Sequence, residues 1–306
     1  MSGGGESAGT VGFIGLGTMG RPIARRLLDA GHALAVTDVA RAEAADWETR
    51  GARFLDNAAA VAGAARVVFL SLPGPKEVEQ VVLGAGAVLS AARAGDVVVD
   101  LSTNSHAVVT ALAARLAEAG VAFVDAPVSG GVAGAQKGTL AVMAGGDPAA
   151  IERLAPLMAA FSARVFHAGP AGMGTIAKLV NNQIFLTATT AVQEGFVLAA
   201  KAGLDSTVLL DILRSSSAGG YVGLAPLILG RAFETVIFRL GLAAKDLNLA
   251  LESAADLGVA MPTSQGAARV YREAIARGLS DKVFHTTLRA LELDAETEVA
   301  RPAKAP

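Results

Sequence analysis

The sequence predicts an α/β domain on a parallel sheet, followed by an all-α domain. Three observations predict it. The chain has 306 residues, about two domains' worth at roughly 150 residues each. Up to about residue 172, short Val/Ile/Phe-rich runs alternate with amphipathic helical patterns. Beyond that point strand-like runs cease and long helical periodicities continue to the end.

In chain order, strands are expected at Val11–Ile14, Leu34–Thr37, Val67–Leu70, Val97–Asp100 and Ala122–Val124. Amphipathic stretches such as Pro22–Ala30 and Ala107–Ala119 lie between them. Strand, helix, strand at this spacing implies βαβ units and a sheet covered on both faces. Thr139–Met143 and Arg164–His167 read as further strands, with a helix from Pro148 to about Phe161 between them. The helical half reads as Thr175–Ala202, Ser206–Ser215, Leu240–Leu257, Ser264–Gly278 and a last piece near Phe284–Glu296. Gly203 and Gly258 sit where helix stops are expected. The domains are expected at 10–172 and 173–300. The opening run MSGGGESAG and the closing ARPAKAP read as flexible tails.

Composition narrows the function. Hydrophobic residues make up 52% and charged residues 18%, too apolar a balance for a disordered chain. The net charge is −2, without the basic surplus of a phosphate-gripping nucleic-acid binder. The cysteine count is zero, which removes disulfide scaffolds, thiolate zinc sites and cysteine nucleophiles. With 4 histidines, no metal site is expected. No run of about twenty apolar residues is present, so no membrane span is expected. The N-terminus lacks a basic region before its apolar residues, so no signal peptide is expected. The absence of cysteine fits a reducing, cytoplasmic setting.

The most specific local pattern is Gly15-Leu16-Gly17-Thr18-Met19-Gly20, a G-x-G-x-x-G run. Alone it is weak in a chain with 35 glycines. Here it follows an apolar strand and opens a helix. The first glycine permits the turn, the second lets a pyrophosphate approach the backbone, and the third allows close helix–strand packing. The helix N-terminus supplies free N–H groups for the phosphates. About twenty residues on, Asp38 ends the next strand, where a carboxylate can accept hydrogen bonds from a ribose diol. This points to a dinucleotide, NAD before NADP. A phosphate beside Asp38 would set like charges together, although Arg21 and Arg41 stand near enough in sequence to soften that.

Three more loops follow strand ends, where doubly wound sheets bind ligands. They are Ser71-Leu72-Pro73-Gly74, Asp100-Leu101-Ser102-Thr103 and Asp125-Ala126-Pro127-Val128-Ser129-Gly130-Gly131. The small residues of the last expose consecutive backbone N–H groups, which suits a carboxylate; equally, they make an ordinary tight turn. Lys178 and Asn182 are four residues apart, hence on one face of the long helix. From the helix pattern alone, Lys178 is a lysine lying along an apolar face. Asn181-Asn182 in mid-helix is costly by propensity, which hints at a wanted polar face. Lys245-Asp246 reads as an ordinary exposed charge pair.

Taken in order, these residues make a resemblance. Phe13–Leu27 (FIGLGTMGRPIARRL), Asp125–Gly131 (DAPVSGG), Gly138–Gly146 (GTLAVMAGG), Gly172–Asn182 (GMGTIAKLVNN) and Ala243–Leu251 (AAKDLNLAL) resemble the β-hydroxyacid dehydrogenases, most closely those of the 3-hydroxyisobutyrate type. The similarity runs from about Val11 to about Ala290. It implies a Rossmann-type N-terminal domain and an all-α C-terminal domain for substrate binding and dimerisation, as in 6-phosphogluconate dehydrogenase. It implies that Lys178 is the catalytic acid/base and that Asn182 orients the substrate. Ser129, Gly130 and Gly131 would hold the substrate carboxylate. Leu72, Pro73, Thr103 and Lys245 would join the glycine loop and Asp38 around the cofactor, with Thr103 and Lys245 towards the nicotinamide.

The expected reaction is reversible hydride transfer between NAD, or NADP, and a short 3-hydroxy acid or its semialdehyde, in a homodimer or homotetramer. Tartronate or succinic semialdehyde reduction is an alternative. So are an imine reductase, which usually replaces the lysine, and a non-catalytic binding module on the same scaffold. One departure is visible. The family commonly has a proline soon after the Ser-Thr of the third loop, whereas this chain reads STNSHAVV. His106 therefore reads as a helix start rather than as catalytic. The run after Ser215 matches no named subfamily and leaves the exact substrate open.

Overall fold

The computed structural model describes residues 9–300. The two tails expected from sequence lie almost wholly outside them. The chain divides into two compact units, Met1–Lys178 and Leu179–Pro306.

In the first unit, β1 (Val11–Ile14) leads through α1 (Gly20–Asp29) to β2 (Leu34–Thr37). After them come α2 (Ala44–Thr49), β3 (Arg53–Phe54), α3 (Ala58–Ala64), β4 (Val67–Leu70), α4 (Pro75–Leu83), β5 (Val97–Asp100), α5 (His106–Ala117) and β6 (Ala122–Asp125). These six strands are parallel, in the order β3-β2-β1-β4-β5-β6. The unit then adds β7 (Val128–Ser129), α6 (Gly131–Lys137), β8 (Leu140–Gly145), α7 (Pro148–Met158) and β9 (Ser162–Gly169). β8 runs antiparallel to β6 and β7, and β9 pairs parallel with β8.

Strand alternation builds a core on each face of the sheet. Val11, Phe13, Phe69, Val97 and Val99 pack on one side with Ile23 and Leu27 of α1. Ile14, Val68, Leu70 and Val98 pack on the other with Val61, Val78, Val109 and Leu112. Successive residues of a strand point to opposite faces, so apolar runs with little polar interruption are what a doubly covered sheet requires. Gly12 belongs to that fit, since a Cβ there would lie 2.8 Å from Val61 Cγ1. The strand order reverses between β1 and β4. The loops at their C-terminal ends therefore flank the crevice in which such sheets take ligands.

β3 and β7 were not expected from sequence. Each is two residues long, too short for periodicity to register. β7 also corrects the expectation of a plain loop after β6. Val128 and Ser129 pair with Val142 and Ala141, so the start of the Asp125–Gly131 run is held as sheet.

Helix α8 (Met173–Lys201) spans the division between the units. The second unit continues with α9 (Ser206–Arg214), α10 (Ala225–Leu229), α11 (Leu240–Asp256), α12 (Pro262–Ala276) and α13 (Thr287–Asp294). Its core gathers Leu186, Phe196, Ile228, Leu247, Tyr271 and Phe284 with their neighbours. Among the described residues its only β pairing is a single bridge between Arg239 and Val283. No described helix is long and apolar enough to cross a membrane.

Candidate active site

The glycine loop is built by two backbone collisions that only glycine avoids. A Cβ on Gly20 would lie 1.9 Å from the Gly15 carbonyl oxygen. A Cβ on Gly15 would lie 2.3 Å from the Ser71 carbonyl oxygen, and Gly15 also sits at φ +94. The loop is thus pressed onto its own helix and onto the loop after β4. Gly17 differs: a Cβ there meets nothing within 4 Å. Its glycine answers no demand of the fold and leaves room for a ligand. Gly17 and Thr18 are exposed, Met19 is half-buried, and Gly15, Leu16 and Gly20 are buried.

Beside Gly17 and Thr18 lies an open cavity of about 560 Å³, also lined by Arg21, Arg25, Arg26 and Asp29. Arg25 is paired with Asp46 and Arg26 donates to the Ala160 carbonyl oxygen, while Arg21, in the first turn of α1, is the cation that lies with the helix N–H groups, a combination that suits an anionic ligand. Asp38 braces the same loop. Its Oδ2 accepts from the Leu16 N–H at 2.6 Å and its Oδ1 from the Ala40 N–H at 2.7 Å. A carboxylate has about four acceptor sites, so capacity for a ribose diol remains. Arg41 is drawn elsewhere, to Asp56 at 2.6 Å and over the Phe54 ring. The residues present therefore fit a dinucleotide.

The neighbouring loops are tied together. Leu72 N–H donates to Ser102 Oγ at 2.9 Å, next to Pro73. Asp100, nearly fully buried, accepts from the Ser102 N–H and from Asn104 Nδ2. Sequence reasoning missed Asn104; its burial and the carboxylate four residues before it mark it as the brace of the loop bearing Thr103. His106 begins α5 behind the Ser105 cap.

In the last loop Gly130 and Gly131 take φ +129 and +63. Consecutive residues in this region essentially require glycine, and Ser129 precedes them, half-buried. Asp125 opens this loop and carries a raised pKa of about 6. Burial causes the rise, opposed by hydrogen bonds from the Gly172 and Thr175 amides.

Lys178, half-buried, is the last residue of the first unit, and Asn182 lies one turn further along α8. Within the second unit the structure gathers Asn182, Lys245 and Asp246. Asn182 Nδ2 donates to Asp246 Oδ2 at 2.7 Å, and Lys245 Nζ lies 2.9 Å from Asp246 Oδ1. The exposed charge pair expected from pattern is corrected here, since Asp246 is only 4% exposed. Its helical spacing from buried Ala243, Leu247 and Ala250 was the available signal.

Residues 10–169 match the model of the NAD binding domain of 6-phosphogluconate dehydrogenase. Residues 172–291 match that of the NAD-binding domain of NADP-dependent 3-hydroxyisobutyrate dehydrogenase. The chain is 35% identical to 2-(hydroxymethyl)glutarate dehydrogenase of Eubacterium barkeri, over 94% of this chain and 96% of that protein. It is 35% identical to the NAD-dependent L-serine dehydrogenase of Pseudomonas aeruginosa, over 90% and 95%. The solved structure of Mycobacterium tuberculosis 3-hydroxyisobutyrate dehydrogenase with L-serine superposes with a TM-score of 0.85 at 31% identity, covering 92% of this chain and 99% of that one. A glycine loop shaped around open ligand space, carried on a chain matched almost end to end by such relatives, belongs to the β-hydroxyacid dehydrogenase family, the NAD(P)-dependent oxidoreductases of hydroxy acids.

Proposed function

We propose that the chain oxidises the primary alcohol of a 2-substituted 3-hydroxypropanoate, HOCH2–CH(X)–COO⁻, to the semialdehyde, with NAD preferred over NADP. 3-Hydroxyisobutyrate, L-serine and 2-(hydroxymethyl)glutarate, taken from the names of the relatives, share this skeleton and differ only in X. The observation that carries the reading is the Ser129-Gly130-Gly131 turn, where the positive φ values of Gly130 and Gly131 leave small residues around backbone amides suited to the anionic group common to all three, the carboxylate on the carbon that bears X.

In the oxidative direction Lys178 Nζ, as the neutral amine, takes the hydroxyl proton. In reduction its ammonium returns a proton to the developing alkoxide. The nicotinamide, when bound, supplies the hydride acceptor or donor. Asn182 orients the substrate, with its carboxamide set by Asp246. Thr103 and Lys245 serve the nicotinamide end, and Leu72 and Pro73 the cofactor edge. General acid–base catalysis of this kind is worth about 10²–10⁴ in rate. We assign residues 10–172 to cofactor binding and 173–300 to substrate binding and subunit association, in a cytoplasmic homodimer or homotetramer.

The test is turnover on the three hydroxy acids and on tartronate semialdehyde in reverse, with each cofactor. At least one 3-hydroxy acid is expected to turn over with NAD, and its methyl ester to be a poor substrate. Equal rates on acid and ester refute the carboxylate reading.

A further inference from the structure

Asp125 is a buried carboxylate that the reaction above does not use. It ends β6, is 0% exposed, and stands four residues before Ser129. Its two oxygens divide between two amides at the start of α8. Oδ1 accepts from the Gly172 N–H at 2.8 Å, and Oδ2 from the Thr175 N–H at 2.6 Å.

Glycines bring the elements together without slack. A Cβ on Gly174 would lie 2.1 Å from the Met143 carbonyl oxygen and 2.7 Å from that of Asp125. A Cβ on Gly145 would lie 2.5 Å from Asp125 Oδ1 and 2.8 Å from the Gly174 nitrogen. The end of β8, the end of β6 and the first turn of α8 are therefore in direct backbone contact. Lys178 follows Thr175 by three residues, less than one helical turn. Every residue named here belongs to the first unit.

We propose that Asp125 is a positioning residue, which clamps the first turn of α8 at two points and so sets Lys178 against the Ser129–Gly131 turn. The inference rests on the reading of Lys178 and Ser129–Gly131 given above. The glycine contacts seat the helix start against the strand ends, and the hydrogen bonds fix its direction. Two bonds to amides three residues apart fix both its axial position and its rotation. Only a carboxylate serves both donors, because an asparagine offers one acceptor oxygen and turns its NH2 group towards the second N–H. With a pKa raised to about 6 by burial, the group is mostly ionised at neutral pH.

The experiment compares Asp125→Asn and Asp125→Ala with the wild type. The second variant removes both acceptors without turning an NH2 group towards the Thr175 amide, and keeps the question open to decision if the first does not fold. Asp125→Asn is expected to lower kcat about 10- to 100-fold, the scale of a misplacement of about 1 Å. KM for the hydroxy acid and Kd for NADH should stay within threefold, and Asp125→Ala should move the same way. A folded variant of either kind with kcat within twofold of wild type overturns the proposal. So does a loss of kcat matched by an equal loss of NADH-binding stoichiometry, the signature of a merely structural role. Lys178→Met is measured alongside. If it keeps more than a tenth of the activity, the lysine reading fails and takes this inference with it. If Lys178→Met is inactive and Asp125→Asn behaves as wild type, the positioning role alone fails.

Discussion

Replacing Gly17 and Gly20 by alanine, one at a time, separates space kept for a ligand from space needed by the fold. A Cβ on Gly17 meets no atom within 4 Å, and Gly17 is not among the positive-φ glycines. Gly17→Ala should leave stability intact or raise it by about 0.4–1 kcal/mol, through a less flexible unfolded chain. With a pyrophosphate against that backbone, the new methyl group crowds the ligand. Overpacking by such a group costs about 1–3 kcal/mol, or roughly 5- to 150-fold in Kd for NADH. Gly20→Ala inverts the pattern. Its Cβ would lie 1.9 Å from the Gly15 carbonyl oxygen, backbone against backbone, so the loop must deform and Tm must fall. NADH fluorescence titration and thermal melts of the two variants decide the matter. A stable Gly17→Ala protein that binds NADH within twofold of wild type refutes the placement of the pyrophosphate.

Asp38 should set the cofactor preference. A ribose phosphate beside its carboxylate costs on the order of 1–4 kcal/mol, so wild-type kcat/KM should favour NAD and Asp38→Asn should narrow the ratio; an unchanged ratio rules Asp38 out as the discriminator. Gly130→Val should raise KM for the hydroxy acid by forcing a β-branched residue into φ +129 beside the carboxylate, and an unchanged KM in a folded variant argues against that turn as the binding site. His285 is 0% exposed, both its ring nitrogens lack partners, and burial lowers its pKa to about 4. Its neutral form therefore contributes stability in full above the unfolded value of about 6.5, and that contribution is lost as pH falls through about 4, at most about 3 kcal/mol. Urea unfolding at pH 7.5 and 4.5 should show His285→Phe losing less than wild type on acidification; parallel losses would contradict this.

The parallel strands were legible because each is a compact apolar run between turn signals, and β1, β2, β4 and β5 fall on the residues the sequence marks. The glycine loop was legible because its pattern is local: strand, turn and helix lie within twenty residues. What stayed hidden depends on partners distant in sequence. Asp125 meets Gly172 and Thr175 across 47 and 50 positions, and Asn182 meets Asp246 across 64. No periodicity carries that information. Asp246 looked like one half of a surface pair because its neighbour is a lysine, whereas its helix face is the buried one. Gly145 and Gly174 carried no motif of their own; their necessity appears only where two backbones touch.

The measurement that bears most directly on the account is the turnover of Lys178→Met with saturating hydroxy acid and NAD, taken with Kd for NADH. Loss of the acid/base predicts a fall of at least about a hundredfold in kcat, with NADH binding within threefold of wild type. A variant that keeps more than a tenth of wild-type turnover would show that another residue moves the proton.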